Sequence, residues 1–123
     1  MDDQRGSVTR ADDVESIAVG AGRGTVLRVL IDDHQAPNFA LRKFTMQPGG
    51  GMPRHTNRVE HEQYVLRGRA RIGIGDEEFE VGPDDVVYIP AGVPHFYESI
   101  GDEPFEFLCT VPNAPDEIEI LDD

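Results

Sequence analysis

The apolar residues of this chain fall into short runs that are separated by turn residues. The runs are rich in β-branched, aromatic and leucine residues, which favour extended strands. In order they read TVLRVLI, NFALRKFTM, EQYVLRG, RARIGIG, EEFEV, VVYIP, HFYESI and FEFLCTV. Gly, Pro and Asp stand between them at intervals of about 8 to 12 residues, a spacing typical of a sandwich or barrel. Since no segment has a helical period, the pattern predicts an all-β domain of antiparallel strands.

The two ends of the chain differ from this central region. Residues 1–20 are polar and mostly acidic, and we predict an arm there with one short strand near 16–19. The barrel is expected to occupy residues 21–114. Residues 115–123 form an acidic tail whose Ile/Leu alternation fits either a short edge strand or a frayed end. Within the barrel, PGGGMPR at 48–54 is expected to lack regular structure.

Length and composition limit the class of protein. A chain of 123 residues with 38% hydrophobic residues is long enough for one domain with one core. The formal net charge of −13 argues against nucleic acid and anionic membrane as partners, because both require clustered Lys and Arg. No apolar run approaches the roughly 18 residues of a membrane span, and the acidic start MDDQRGS does not resemble a signal peptide. We therefore expect a soluble, cytoplasmic protein.

The same charge bears on stability. A compact domain with this much negative charge repels itself at low ionic strength, and salt screens the repulsion. We interpret the balance as a halophilic adaptation to a salt-rich cytoplasm; an acidic mesophilic protein is the alternative. The single cysteine, Cys109, excludes an internal disulfide and a zinc site built from several thiolates.

Candidate chemistry lies in the stretch HTNRVEHEQYVLRG, residues 55–68, which holds two of the four histidines of the chain. On a strand, side chains two positions apart share a face, so His55 and Asn57 project together, and so do His61 and Gln63. Because imidazole is the commonest metal ligand in proteins, this spacing indicates a metal site. The alternative is an empty polar pocket in which the histidines hydrogen-bond to neighbouring amides and a tyrosine.

A third histidine follows the turn sequence AGVP. His95 shares its side of the strand with Tyr97, and it reaches the same point as His61 if strands 61–67 and 95–100 are neighbours. The fourth histidine, His34, lies in the loop sequence DDHQAPN, and we assign it no catalytic role.

Two motifs resemble those of the cupin superfamily. PGGGMPRHTNRVEHEQYVLRG resembles the first cupin motif, in which a glycine precedes a His-x-His pair, a further ligand, a hydrophobic strand and a glycine turn. GPDDVVYIPAGVPHFYES resembles the second, in which a Pro-x-x-x-Pro-His loop follows a glycine and an aspartate. The resemblance extends over about residues 24–112 and is closest to the small single-domain cupins. It implies a double-stranded β-helix, or jelly roll, of antiparallel strands with a metal inside one mouth of the barrel.

The resemblance also implies the ligands of that metal. It makes His55 the first, His61 the third and His95 the fourth, while Glu62 falls one residue out of register and faces the other side of its strand. The second position, a histidine in the family, is Asn57 here. An amide oxygen can bind a hard metal ion but is a poorer donor than imidazole toward zinc or copper, so whether Asn57 ligates stays open. We expect a divalent transition metal, Fe, Mn, Ni or Zn.

Strand alternation predicts part of the pocket lining. In FEFLCTV the phenylalanines, the cysteine and the valine occupy alternate positions and are expected to face the interior. The resemblance places Phe107 and Cys109 of this run near the metal, although Cys109 can also be read as a small buried hydrophobe. Tyr97 and Gln63 are candidates to bind or protonate a substrate.

These features predict a metal-dependent enzyme that acts on a small organic molecule, with an iron- or manganese-type oxygenase as the leading interpretation. Two alternatives remain: a non-catalytic cupin that binds a small ligand or metal as a sensor or store, and a metal-assisted isomerase or lyase. Arg42 and Arg54 are candidates to contact an anionic substrate, or else ordinary surface charges. The resemblance alone implies a homodimer, formed through outer sheet faces or exchanged N-terminal strands.

Overall fold

The computed structural model describes residues 5–121. These residues form ten strands and one short 3-10 helix, Ala11–Asp13. Every paired strand runs antiparallel to its partners, which confirms the predicted all-β class. The strands are β1 Ile17–Ala18, β2 Arg23–Ile31, β3 Phe39–Thr56, β4 His61–Arg67, β5 Arg69–Ile74, β6 Glu77–Val81, β7 Val86–Ile89, β8 His95–Ile100, β9 Phe105–Pro112 and β10 Glu119–Ile120.

Strand β3 connects the two sides of the fold. Its first half, up to Met46, pairs with β9 and most of β2, while its second half, from Gly51, pairs with β8 and β10. The hydrogen-bonded order is β6-β5-β8-β3-β9-β4-β7, with β2 and β10 also on β3 and β1 on β2. The strands therefore curl around a common core as a jelly roll, as the sequence predicts.

Residues 48–54 belong to β3, so the expectation that they lack regular structure is wrong. Positive φ angles of 81° at Gly49 and 159° at Gly51 bend the strand without ending it. A Cβ atom on Gly51 would collide with the carbonyl oxygen of Tyr97 in β8. The glycines therefore let β3 pass from one side of the barrel to the other and bring its backbone against β8.

Alternating side chains of the inner strands fill the core. In β9 every second residue from Phe105 to Val111 is buried, which matches the inward face expected from the sequence. The largest fully buried side chains are Phe105, Phe107, Met46, Ile72, Ile89, His95, Val65 and Cys109. His95 is the imidazole in this set, and a buried imidazole requires polar partners or a ligand.

Both ends of the described chain lie against the barrel. β1 pairs with β2, and β10 pairs with β3, where Ile120 lies opposite His55. Two residues of the acidic tail, Glu119 and Ile120, thus form a short edge strand, which is one of the two interpretations of the tail. The parts of the predicted arm and tail at residues 1–4 and 122–123 lie outside the described residues. No helix within residues 5–121 has the length and hydropathy needed to cross a bilayer.

Candidate metal centre

Three histidines from three strands meet inside the barrel. His55 lies near the end of β3, and His61 and His95 begin β4 and β8. These residues are only 3%, 6% and 1% exposed. The ring centroid of His95 is 4.2 Å from that of His55 and 5.5 Å from that of His61. The three imidazoles selected from the sequence therefore converge on one buried place.

Two of these histidines are opposite each other in a ladder, and the third reaches them across the interior of the barrel. His55 and His95 lie opposite each other in the β3–β8 ladder. Strand β4 pairs with β7 and β9, and among residues 5–121 it has no ladder with β8. The condition considered from the sequence, that strands 61–67 and 95–100 are neighbours, is therefore not met. His61 reaches His95 across the interior instead, because the bend in β3 closes the two sides of the sheet over a common core.

Backbone carbonyls fix the tautomer of two of the rings. Nδ1 of His55 lies 2.7 Å from the carbonyl oxygen of Pro53, and Nδ1 of His95 lies 2.9 Å from that of Val93. A carbonyl oxygen can only accept, so each Nδ1 carries the hydrogen and each Nε2 keeps its lone pair. Nε2 of His95 is buried and has no hydrogen-bond partner among the described residues. Metal-binding histidines commonly have their second nitrogen held in this way.

His61 has a choice of partners. Its Nδ1 lies 3.2 Å from Sγ of Cys109 and 3.3 Å from a guanidinium nitrogen of Arg42, and its Nε2 lies 3.2 Å from Oδ1 of Asn57. With the hydrogen on Nε2, the ring donates to Asn57 and accepts from Arg42. With the hydrogen on Nδ1, it donates to the sulfur of Cys109 and leaves Nε2 free. The surroundings of His61 thus support both tautomers, of which only the second can bind a metal through Nε2.

Burial favours the neutral form of all three rings. It lowers the pKa of His61 to about 3, and the positive charge of Arg42 acts in the same direction. It lowers the pKa of His95 to about 4, against the opposing effect of the backbone hydrogen bond at Nδ1. The pKa of His55 is lowered by burial as well. Neutral imidazole is the form that binds metal ions, so the rings have the protonation that a metal site requires.

The donor set fits a transition metal in part. The unpartnered Nε2 of His95 and the free lone pair of His55 are nitrogen donors that such an ion would satisfy. Within residues 5–121, however, no three His, Cys, Asp or Glu side chains are arranged as a ready ligand set. His61 has to release Asn57 before it can become the third donor.

Asn57 ties the loop between β3 and β4 to the C-terminal segment. Its Nδ2 donates to a carboxylate oxygen of Asp116 at 3.1 Å, and its Oδ1 faces His61. Asp116 also accepts from the backbone N–H of Arg58 at 2.7 Å. Nothing in the sequence singles out Asp116, because one carboxylate in an acidic tail carries no distinguishing signal. Glu62 is exposed on the outer face of β4, as expected from its register.

A cavity of about 160 Å³ adjoins the three rings. Tyr97 and Gln63 line it, and Nε2 of Gln63 donates to the hydroxyl oxygen of Tyr97 at 2.7 Å. Burial raises the pKa of Tyr97, and the nearby Cys109 adds to the effect. The phenol therefore stays protonated and keeps its own hydrogen to donate. The apolar lining includes Leu27, Phe44, Met46, Met52, Phe107 and Ile118.

The two residues expected near the metal from the last strand have different surroundings. Phe107 lines the cavity and stacks between Phe44 and Tyr97, with centroid separations of 5.1 and 5.3 Å. Cys109 is fully buried and does not line the cavity, although its sulfur contacts His61. It fits the description of a small buried side chain, with its sulfur placed to orient the imidazole.

The two candidate arginines and the fourth histidine differ in whether they line the cavity. Arg42 lines the cavity, whereas Arg54 does not line it and donates to the carbonyl oxygen of Gly75. His34 lies in an exposed loop, where its backbone N–H bonds to the carboxylate of Asp32. Arg42 is thus the arginine that can meet a bound molecule.

Fold and site together define a small jelly-roll protein with a histidine-lined cavity. The family model described as Cupin domain matches residues 42–111, more than half of the chain. The uncharacterized protein MJ1618 of Methanocaldococcus jannaschii is 38% identical over 104 residues, which are 80% of this chain and 83% of that protein. The chain belongs to the cupin family.

Two solved structures share nearly the whole fold. The polyketide cyclase RemF from Streptomyces resistomycificus is 29% identical with a TM-score of 0.85, and the match covers 97% of this chain and 89% of that one. Rru_A2000 from Rhodospirillum rubrum, a cupin-2 domain, is 26% identical with a TM-score of 0.84, and the match covers 95% and 81% of the two chains. The similarity therefore includes the terminal strands as well as the barrel.

Proposed function

We propose that this cupin is a metal-dependent enzyme in which His55, His61 and His95 hold a divalent transition metal beside a cavity for a small organic substrate. The observation that carries the proposal is the buried Nε2 of His95, which has no hydrogen-bond partner while its Nδ1 is held by a backbone carbonyl. A buried polar atom is costly when unpaired, and a metal ion would satisfy it. His55, whose ring lies beside that of His95, also has its Nδ1 held by a backbone carbonyl.

The side chains around the three histidines favour the nitrogen and oxygen donors that the proposed metal site needs. Fe, Mn, Ni and Zn all accept imidazole nitrogen, and any of them would supply a Lewis acid to polarise a substrate oxygen. Cys109 supports the metal-binding tautomer of His61, because its sulfur can accept the hydrogen on Nδ1. Asn57 offers an amide oxygen as a weak fourth donor or leaves that position to substrate or water.

Tyr97 is the proposed proton donor. Gln63 donates to its oxygen, so the phenolic hydrogen is available to a molecule in the cavity. Because burial raises the pKa of Tyr97, the group stays protonated and acts as a donor rather than as a base. A neutral donor of this kind stabilises negative charge that develops on a substrate oxygen.

This donor favours a metal-assisted proton-transfer reaction of the cyclase, isomerase or lyase type. The 29% identity with the polyketide cyclase RemF over 97% of the chain supports the same class. An oxygenase is the second candidate, and Asn57 favours it. A weak donor in place of the family's histidine leaves coordination positions for substrate and dioxygen.

Metal analysis of matched histidine variants tests the proposed site. We expect bound metal in the wild-type protein and in His34→Ala, whose side chain is exposed, and its loss in both His55→Ala and His95→Ala. Metal retained by all three variants would refute the assignment. A folded wild-type protein that takes up none of the four candidate metals would favour a non-catalytic ligand-binding cupin.

Oxygen uptake separates the two reaction classes. Protein purified without oxygen and loaded with iron or manganese is supplied with diketones, phenolics and thiols in turn. Product formed without oxygen consumption supports proton-transfer chemistry, and equimolar oxygen consumption supports an oxygenase. In the first case Tyr97→Phe should lower turnover by about 10²-fold or more, while the exposed Tyr88→Phe should retain it.

A further inference from the structure

Arg42 places a positive charge inside the barrel. It stands in β3 opposite Cys109 of β9, a residue with no exposed surface. Strand alternation turns both side chains toward the same interior. The guanidinium group lies over the ring of Phe44, 5.1 Å from its centroid, and the side chain lines the cavity together with the three histidines.

No carboxylate of the described chain balances this charge. Arg42 forms no salt bridge among residues 5–121, although the sequence has 24 acidic residues. One terminal nitrogen of Arg42 contacts Nδ1 of His61 and Sγ of Cys109, each at 3.3 Å, and its Nε is buried without a hydrogen-bond partner. Arg42 as a whole is half-buried, but a buried donor that has no partner is costly unless an acceptor joins it, and an anion is the acceptor that also balances the charge. Five other basic side chains are paired with carboxylates: Lys43–Glu106, Arg58–Glu117, Arg67–Glu103, Arg69–Glu80 and Arg71–Glu98.

We propose that Arg42 binds the carboxylate of a small organic acid, and that such acids are the substrate class of this cavity. The inference deepens the proposed function and rests on it for the reaction. A planar guanidinium pairs with a planar carboxylate through parallel N–H···O bonds. A phosphate group normally gathers several cations, whereas Arg42 is the one arginine or lysine among the described residues that lines this cavity.

The other residues that line the cavity indicate what the acid consists of beyond its carboxylate. Phe44, Phe107 and Tyr97 form a stacked aromatic wall. Met46 and Met52, both buried, adjoin it, and methionine adapts to flat apolar groups. A cavity of about 160 Å³ holds only a small molecule. A monocarboxylate with a flat apolar body therefore matches both the charge and the wall.

Calorimetric titration with benzoate and its neutral analogue benzamide tests the inference. Three proteins are titrated, each in metal-free and zinc-loaded form: wild type, Arg42→Gln and the control Arg28→Gln. In the wild-type protein Arg28 bonds to the carbonyl of Val14. We expect wild type and Arg28→Gln to bind benzoate at least tenfold more tightly than benzamide, and Arg42→Gln to lose that preference. Equal binding of the two compounds by wild type, or a preference that survives in Arg42→Gln, overturns the inference.

A second variant and a spectroscopic measurement guard against misfolding of Arg42→Gln. Arg42→Lys keeps the charge but cannot form the paired bonds, so its affinity for benzoate should fall about tenfold. In the wild-type protein the Nε–H resonance of Arg42 should shift with benzoate and not with benzamide. A resonance that does not shift with benzoate contradicts the proposal.

The metal-free titrations separate this inference from the proposed function. If the wild-type protein binds no metal but prefers benzoate through Arg42, the metal site fails and the anion site stands. If benzoate binds only to the zinc-loaded protein and binds Arg42→Gln equally well, the anion site fails and the metal site stands.

Discussion

The side-chain amide of Asn57 contacts two neighbours, one through its nitrogen and one through its oxygen. Its nitrogen is held by Asp116, and its oxygen lies 3.2 Å from Nε2 of His61. The amide oxygen therefore faces the histidines, where it can accept from His61 or act as a weak ligand. This one residue influences both the tautomer of His61 and the strength of the proposed metal site.

Replacing Asn57 by histidine should tighten metal binding. Imidazole is a better donor than an amide oxygen toward zinc, so we expect the zinc affinity of Asn57→His to rise about tenfold or more. Competition with a chromophoric chelator measures the change. Asn38→His, which adds a histidine at an exposed position outside the cavity, is the matched control. An affinity equal to that of wild type would show that position 57 points away from the metal.

The buried histidines should make the metal-free protein sensitive to mild acid. In the unfolded chain histidine takes up a proton near its ordinary pKa of 6.5, whereas His61 and His95 in the folded protein stay neutral down to about pH 3 and 4. The unfolded state binds more protons below pH 6.5, so the free energy of unfolding falls as the pH is lowered from 6.5 toward 4, by roughly 1.4 kcal/mol per pH unit for each histidine.

Urea unfolding midpoints between pH 7.5 and 4.5 measure this dependence. His95→Asn should reduce the slope, and His34→Gln, which changes an exposed histidine, should keep it. Midpoints of the wild-type protein that are flat across this range would contradict the account.

At the scale of residues, side-chain spacing predicted much of the candidate site. It brought forward His55, His61 and His95 as candidates, and the resemblance to the cupin motifs ordered them as ligands and left Glu62 out of register. The carbonyl groups of Pro53 and Val93 that fix two of the rings could not be foreseen. Every residue has a carbonyl, and only the folded backbone decides which one faces an imidazole.

At the scale of elements, β3 decides the geometry of the site. The sequence predicted the strand before the glycines but not its continuation, because Gly and Pro weaken strand propensity wherever they stand. It also left open whether the strands of His61 and His95 are neighbours. Strand pairing depends on where β3 bends, and alternation within a strand reports only which side chains share a face.

Gly51→Ala should disrupt this bend. A Cβ atom at position 51 meets the backbone of Tyr97, which cannot rotate away as a side chain would. We expect a loss of roughly 2–4 kcal/mol in the free energy of unfolding, measured by urea denaturation. Gly20→Ala, where an added Cβ meets nothing within 4 Å, should change stability little. Comparable stability of the two variants would mean that the close approach of β3 to β8 is not required.

At the scale of the whole molecule, charge is the dominant feature. Most paired basic side chains lie on the surface, where single ion pairs contribute little to stability. The formal net charge of −13 therefore remains as mutual repulsion between carboxylates. A halophilic origin stays a prediction from composition, since the fold itself is shared with cupins of other organisms.

Salt should stabilise the protein if that prediction holds. Screening weakens repulsion between exposed charges, so we expect the thermal unfolding midpoint to rise steadily from low to molar KCl. The midpoints in KCl are compared with those in sucrose at equal osmolality, because sucrose does not screen charge. A midpoint that is flat or falls with KCl would identify an ordinary acidic protein instead.

Anomalous X-ray diffraction from zinc-loaded crystals tests the central claim most directly. The account predicts one strong peak bonded to Nε2 of His55, His61 and His95, at about 2.0–2.1 Å from each nitrogen, with His61 turned away from Asn57. A map without a peak at these rings, or with zinc only at surface carboxylates, would contradict the proposal that this cupin is a metal-dependent enzyme.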